Sequence, residues 1–152
     1  MPKFINCLFS GNYADYGGAV FNSSNTHYSN CTFGGNYDNH GGAGMRNSGS
    51  NPVIYNCIIY GNKGGISNNN SNPIISYSLI QGLTSTIYGN LNGDTNDPLF
   101  AAPVSPGTVN VGGNYRIQSA SPCIDNGNTA NHPIGFDTEL EGNPRYFCKI
   151  DM

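Results

Sequence analysis

Charge is scarce in this chain. Only 10% of its 152 residues are Asp, Glu, Lys or Arg, well below an ordinary globular surface. Lys3, Arg46, Lys63, Arg116, Arg145 and Lys149 are scattered rather than clustered. That excludes the basic footprint of a nucleic-acid-binding surface. No apolar run approaches the ~20 residues a membrane-spanning helix needs. Met1-Pro2-Lys3-Phe4 enters patterned sequence at once, so a signal peptide is not expected within this sequence. Either a cytoplasmic protein or a piece cut from a longer secreted chain fits that start; a repeat array needs polar end caps and the first copy has none, so the piece is the expectation. Helix-forming stretches are missing before residue 90, where Gly and Asn recur every few residues. Acid is missing there too: only Asp15 and Asp38 precede residue 90, and the other seven acidic residues follow it.

What the chain has is a repeated phrase. Phe4-Ile5-Asn6-Cys7-Leu8-Phe9-Ser10-Gly11-Asn12 returns as Tyr28-Ser29-Asn30-Cys31-Thr32-Phe33-Gly34-Gly35-Asn36. It returns again as Ile54-Tyr55-Asn56-Cys57-Ile58-Ile59-Tyr60-Gly61-Asn62, with a looser fourth copy at Ile75-Ser76-Tyr77-Ser78-Leu79-Ile80-Gln81-Gly82. The periods are 24, 26 and 21 residues. A unit this short cannot bury its own apolar face, so neighbouring units must stack.

The apolar runs are short and rich in β-branched and aromatic residues, as strands are. Residues +1 and +3 from the Asn (Cys7 and Phe9, Cys31 and Phe33, Cys57 and Ile59) share one face of a strand. Residue −2 (Phe4, Tyr28, Ile54) is out of phase with them. The chain must therefore bend at the Asn, which tolerates the left-handed conformation a bend requires. A second signal, Gly17-Gly18-Ala19-Val20-Phe21-Asn22 and its counterparts at Gly41–Asn47 and Gly64–Asn68, supplies a third side. The expected fold is all-β: a right-handed parallel β-helix of about three to four coils over residues 1–88. An irregular C-terminal segment, 89–152, is expected to pack on the last coil within the same domain.

The phrase Asn-Cys-x-Phe-x-Gly-Asn followed by Gly-Gly-Ala resembles the right-handed parallel β-helix repeats of secreted bacterial proteins, pectate-lyase-like and polymorphic outer-membrane types among them. The tail carries Asp97-Pro98-Leu99-Phe100, Tyr115-Arg116-Ile117, Ser121-Pro122-Cys123-Ile124-Asp125-Asn126-Gly127, Gly142-Asn143-Pro144-Arg145 and Ile150-Asp151-Met152. This resembles the choice-of-anchor Q domain family of bacterial surface proteins. That resemblance implies an extracellular or cell-surface setting and no assigned activity. The last family element is cut short at Met152, which again implies a fragment. Arg116 and Arg145 are expected to pair with Asp125, Asp137 or Asp151 and pin the tail.

Cys7, Cys31 and Cys57 form a core column, expected to act as small apolar residues. No C-x-x-C spacing supports a metal site. Cys123 and Cys148 lie outside the repeats, and an extracellular chain can join them in a disulfide. Asp94, Asn96 and Asp97 offer alternating oxygen ligands of the kind Ca²⁺ prefers. The full EF-hand spacing is missing, and an Asx-type turn before Pro98 is the preferred reading. No cofactor is expected.

One cluster carries candidate chemistry. Asn12-Tyr13-Ala14-Asp15-Tyr16-Gly17-Gly18 aligns with Asn36-Tyr37-Asp38-Asn39-His40-Gly41-Gly42, while the third copy is three residues shorter there. Stacking puts Tyr13 over Tyr37, Tyr16 over His40, Asp15 over Asn39 and Asp38 over Ala14. The preferred function is a non-enzymatic surface or secreted module that contacts carbohydrate or another surface ligand through Tyr13, Tyr16, Tyr37, Asp38 and His40. The alternative is a fragment of a polysaccharide-active enzyme, pectate-lyase-like or glycosidase, with Asp15, Asp38 and His40 as catalytic candidates. Two carboxylates about 5–9 Å apart suit glycoside hydrolysis. The polysaccharide lyases that these repeats resemble generally need Ca²⁺ held by several acids, or a Lys/Arg base; these repeats contain no acidic cluster, which argues against a lyase. Exposed coil ends are expected to promote homo-oligomers, because unpaired strand edges recruit partners.

Overall fold

The computed structural model describes residues 1–109, 112–131, 133–138, 142, 144 and 149–152. The first coil contains β1 (Lys3–Ile5), β2 (Leu8–Ser10), β3 (Tyr13–Ala14) and β4 (Phe21–Asn22). The second repeats them as β5 (His27–Ser29), β6 (Thr32–Gly34), β7 (Tyr37–Asp38) and β8 (Met45–Ser48). The third has β9 (Val53–Tyr55), β10 (Ile58–Ile59) and β11 (Ile66–Asn69), and the fourth has β12 (Ile74–Ser76) and β13 (Leu79–Ile80). Like strands stack in parallel into three ribbons, in the orders β1-β5-β9-β12, β2-β6-β10-β13 and β4-β8-β11. Phe4 sits over Tyr28 and Tyr28 over Ile54, while Phe9, Phe33, Ile59 and Ile80 form a second column. The expected parallel β-helix is the fold.

The bend between the first two ribbons falls where the sequence requires it. Asn6, Asn30 and Asn56 take positive φ of 55°, 54° and 51°. In the fourth copy Tyr77 occupies the same corner at φ 50°, a conformation Asn reaches far more cheaply than Tyr. Each corner turns the −2 residue and the +1/+3 residues toward a single interior.

Inside, like stacks on like. The Phe9 and Phe33 rings lie 4.6 Å apart and 3° from parallel, and Phe4 and Tyr28 lie 5.4 Å and 8° apart. Phe33, Met45, Ile54 and Ile59 are fully buried, each such side chain contributing ~1.5–3 kcal/mol of hydrophobic stabilisation. The thiols of Cys7, Cys31 and Cys57 donate to the carbonyls two residues back, Ile5, Ser29 and Tyr55, at 3.3, 3.3 and 3.1 Å. Ser78 continues the column, and its hydroxyl donates to Ser76 at 2.9 Å in the same way. The cysteines are thus core groups with one weak donor each.

Two asparagine ladders hold the register. Asn36 Oδ1 accepts from the Asn12 backbone N–H at 3.0 Å and its Nδ2 at 2.9 Å. Asn36 Nδ2 donates onward to Asn62 Oδ1 at 2.8 Å and to the Phe9 carbonyl at 2.9 Å. On the third ribbon Asn22 donates to Asn47 and Asn47 to Asn68, each at 2.8 Å.

The stack does not end at residue 88. A further strand, β14 (Leu91–Asn92), pairs in parallel with β13, setting Leu91 on Leu79. Only then does the tail leave. Its antiparallel strands β15 (Phe100–Ala102) and β16 (Asn114–Ile117) bring Phe100 and Tyr115 against the outer face of the second ribbon. There Ile58, Leu79, Phe100, Cys123 and Met152 form a second apolar cluster. The tail packs on the last coil through Leu79 and Leu91, and extends along the flank to earlier coils. Tyr115 donates its hydroxyl to the Gly34 carbonyl at 3.0 Å. A Cβ on Gly34 would sit 2.3 Å from the Tyr115 ring, which explains glycine where the flanking coils carry Ser10 and Tyr60. Farther on, Asn56 and Asn128 exchange two hydrogen bonds, of 2.8 and 3.2 Å. Asp151 Oδ1 accepts the Asp125 N–H at 2.8 Å. Cys123 is a buried free thiol. Cys148, its expected disulfide partner, and Arg145, an expected ion-pair partner, lie outside the described residues.

Asn36→Leu keeps the volume and strips the ladder. It takes the acceptor from the Asn12 N–H and Nδ2 and a donor from the Phe9 carbonyl, while Asn62 Oδ1 keeps the residue 36 backbone N–H, so we expect a loss of ~2 kcal/mol or more in urea unfolding with an unchanged m-value. Alkaline pH supplies a second check. Burial pushes the Cys123 thiol from its ordinary 9.0 up to about 12 and the Tyr28 hydroxyl from 10.0 up to about 12. Above about pH 9 the native state therefore retains protons that the unfolded chain has lost, and stability falls as pH rises. The urea midpoint should decline steadily from about pH 9 toward pH 12.

Candidate functional site

The loops between the second and third ribbons of coils 1 and 2 project from the stack, and β3 and β7 hold them in register. Every expected vertical pair forms. Tyr13 and Tyr37 stack at 5.1 Å and 6°, and Tyr16 and His40 at 4.4 Å and 18°. Asn39 Nδ2 donates to Asp15 Oδ1 at 2.7 Å, and Ala14 pairs with Asp38. Asn39 Oδ1 also accepts the Tyr13 hydroxyl at 3.2 Å. Tyr13 is 52% and Tyr16 46% exposed, so two aromatic pairs stand side by side on the surface.

The two carboxylates do not share that surface. Strand alternation turns Tyr37 and Asn39 outward and Asp38 inward. Asp38 is 1% exposed, and its oxygens accept the Gly17 N–H at 3.1 Å and the Gly41 N–H at 2.9 Å. It closes both glycine turns, its own and that of the coil below. Asp15 is exposed and held by Asn39. Acid–base catalysis on a bound sugar needs two carboxyls facing one bond, and this pair faces opposite sides of the loop.

Two cations join the ridge. Lys63 Nζ lies 4.0 Å above the Tyr37 ring and donates to the Tyr37 hydroxyl at 2.7 Å. The Arg46 guanidinium lies 4.6 Å from the Tyr16 ring centroid. Both are cation–π contacts. The sequence held a signal for Lys63: it follows ladder residue Asn62 as Tyr13 follows Asn12 and Tyr37 follows Asn36. The column thus reads Tyr, Tyr, Lys. Comparing the loops by length hid it. Arg46 carried no comparable signal, because its partner Tyr16 comes from a different loop.

The candidate Ca²⁺ ligands each make hydrogen bonds within the chain. Asp97 Oδ1 accepts the Leu99 N–H at 2.7 Å across Pro98, Asp94 Oδ1 accepts the Gly82 N–H at 3.0 Å, and Asn96 Nδ2 donates to the Asn92 carbonyl at 2.8 Å. The first of these is the Asx turn the sequence favours. Among the described residues no three His, Cys, Asp or Glu side chains gather as a metal site would require.

Residues 1–100 match the family model described as a right handed beta helix region. No curated protein and no solved structure matches the chain.

The placement of Asp38 separates fold from function. Asp38→Ala strands two backbone N–H groups and should lower stability by ~2 kcal/mol. Asp15→Ala, on the exposed side, should change it by no more than ~0.5 kcal/mol. Chemical denaturation of the two variants side by side measures the contrast.

Proposed function

The chain belongs to the right-handed β-helix family, and we propose that it serves there as a non-catalytic, ligand-contacting module of an extracellular or cell-surface protein. Its ligand is a carbohydrate, and the contact surface is the ridge formed by Tyr13, Tyr16, Tyr37 and His40. One observation carries this reading: two stacked aromatic pairs stand adjacent on projecting loops, with Tyr13 and Tyr16 about half exposed. Rings already fixed by stacking on a neighbour lose little freedom when a flat sugar face lies against them. Asp15, Arg46 and Lys63 border the rings with hydrogen-bonding groups suited to hydroxyls. The surface setting draws on the tail's resemblance to the choice-of-anchor Q family.

The inward Asp38 favours this reading over the polysaccharide-active one. A carboxylate committed to two turn amides serves the scaffold, which leaves Asp15 and His40 without a second acid on the same face.

A glycan array followed by titration of the retained glycans tests the proposal. Tyr13→Ala and Tyr16→Ala should each weaken binding about tenfold, ~1.4 kcal/mol, with unchanged thermal midpoints. Failure to retain any glycan overturns the carbohydrate assignment. Release of new reducing ends or unsaturated products overturns the non-catalytic one.

A further inference from the structure

The third ribbon stops before the other two. The first ribbon has a strand in the fourth coil, β12, and the second has two strands beyond the third coil, β13 and β14. The third ends at β11 in the third coil. After β13 the chain builds no further third side. Leu83 packs against the core, its N–H bonded to the Ile80 carbonyl at 3.2 Å. Residues 84–86 then lead back to the first ribbon, where the Tyr77 N–H donates to the Tyr88 carbonyl at 2.9 Å. Asn90 Oδ1 accepts the Ser78 N–H at 3.2 Å, and the Gly93 N–H donates to the Ile80 carbonyl at 2.9 Å. The first two ribbons are thereby closed by later residues of the chain itself, and the third is passed over.

The parallel ladder assigns the direction of each peptide group in β11. Met45 N–H bonds to the Gly65 carbonyl at 3.1 Å, and Gly49 N–H to the Asn69 carbonyl at 2.9 Å. Met45 pairs with Ile66 and Asn47 with Asn68, so Gly65, Ser67 and Asn69 bond back to β8. Ile66 and Asn68 therefore aim their N–H and C=O groups away from it, and no described residue bonds to them. The asparagine ladder stops at the same place. Asn68 Oδ1 accepts from Asn47 at 2.8 Å, and Asn68 Nδ2, the next donor of the column, meets no acceptor among the described residues. Exposed edges are commonly blunted by Lys, Pro or a bulge. Ile66-Ser67-Asn68-Asn69 has none of these, pairs regularly with β8 over its whole length, and leaves Asn68 and Asn69 exposed.

We propose that the free edge of β11 takes one further strand, an extended segment of a partner protein that adds in parallel as the missing third side of the fourth coil. The column dictates its sequence. Each rung of this ribbon reads apolar-x-Asn: Val20-Phe21-Asn22, Met45-Arg46-Asn47 and Ile66-Ser67-Asn68. A guest with the same reading sets its apolar residue over Ile66 and its Asn over Asn68, where its side-chain oxygen accepts from Asn68 Nδ2. The middle residue points outward and varies, as Phe21, Arg46 and Ser67 do. The chain's own strands of this pattern are fixed in the stack, so the guest comes from another protein.

A capped, fluorescent peptide with the sequence of residues 42–49 is the probe, titrated against the full chain. It should bind saturably. At saturation the backbone amides of Ile66 and Asn68 should exchange about tenfold more slowly or better, while those of Ser67 and Asn69, already bonded to β8, do not change. Methylating the peptide nitrogen at the position of Arg46, which faces β11, should weaken binding about tenfold or more, and methylating that of Asn47, which faces away, should not. Asn68→Ala alters an exposed position and should keep the fold, by circular dichroism, while weakening binding about tenfold. Absence of saturable binding, protection on the first coil in place of β11, or equal loss from the two methylated peptides each overturn the proposal. Protection of Ile66 and Asn68 that rises with protein concentration alone gives the edge to a second copy and overturns it too.

Discussion

The buried asparagine amide sets the terms for everything else in this molecule. A primary amide carries both donor and acceptor, as a peptide group does in a sheet, with one N–H to spare. Stacked at the ~4.8 Å spacing of adjacent strands, one amide reaches the next. Asn36 uses both ends at once, accepting from Asn12 and donating to Asn62, with the Phe9 carbonyl as a further acceptor. Slippage of a coil by one residue would break the ladder and turn every interior residue outward. Asn also supplies the left-handed corners at residues 6, 30 and 56, so one residue type both bends each coil and registers it.

That constraint accounts for the scarcity of charge. A stack that sets like over like turns any repeated Lys or Asp into a column of equal charges at strand spacing, which is destabilising. Neutral amides, hydroxyls, thiols and rings repeat without penalty. Charge enters only where a column changes identity: Tyr13, Tyr37, Lys63; Phe21, Arg46, Ser67; Asp15 beside Asn39. The tail, which follows no column, carries most of the acid. It uses that acid on the backbone, with Asp97, Asp94 and Asp151 each accepting an N–H.

The three ribbons, the Asn corners and the interior columns were legible because periodicity states them three times over. The vertical pairs of the ridge were legible for the same reason. Other features were not. β14 has no Asn-Cys phrase, so nothing in Leu91-Asn92 marks it as another rung. The path of the tail depends on one accommodation, Gly34 beneath Tyr115, linking residues 81 apart; no local pattern encodes that distance. The inward direction of Asp38 was within reach, since alternation puts it opposite Tyr37, but its commitment to Gly17 and Gly41 depends on how two turns meet in space.

A scaffold of this kind constrains where recognition can arise. Along the columns each coil presents the same surface as the last, and interior positions belong to packing. Distinct chemistry needs a position where the repeat is broken. The loops after Asn12 and Asn36 are such a break, because the third coil shortens there and ends the column in Lys63. Even inside the break, alternation divides the residues: Asp38 faces in and closes turns, while Tyr13, Tyr16 and His40 face out and close nothing. An outward side chain fixed by a neighbour yet unused by the fold is free to meet a ligand. On that criterion the aromatic pairs qualify and Asp38 does not, although sequence alone placed them in one cluster.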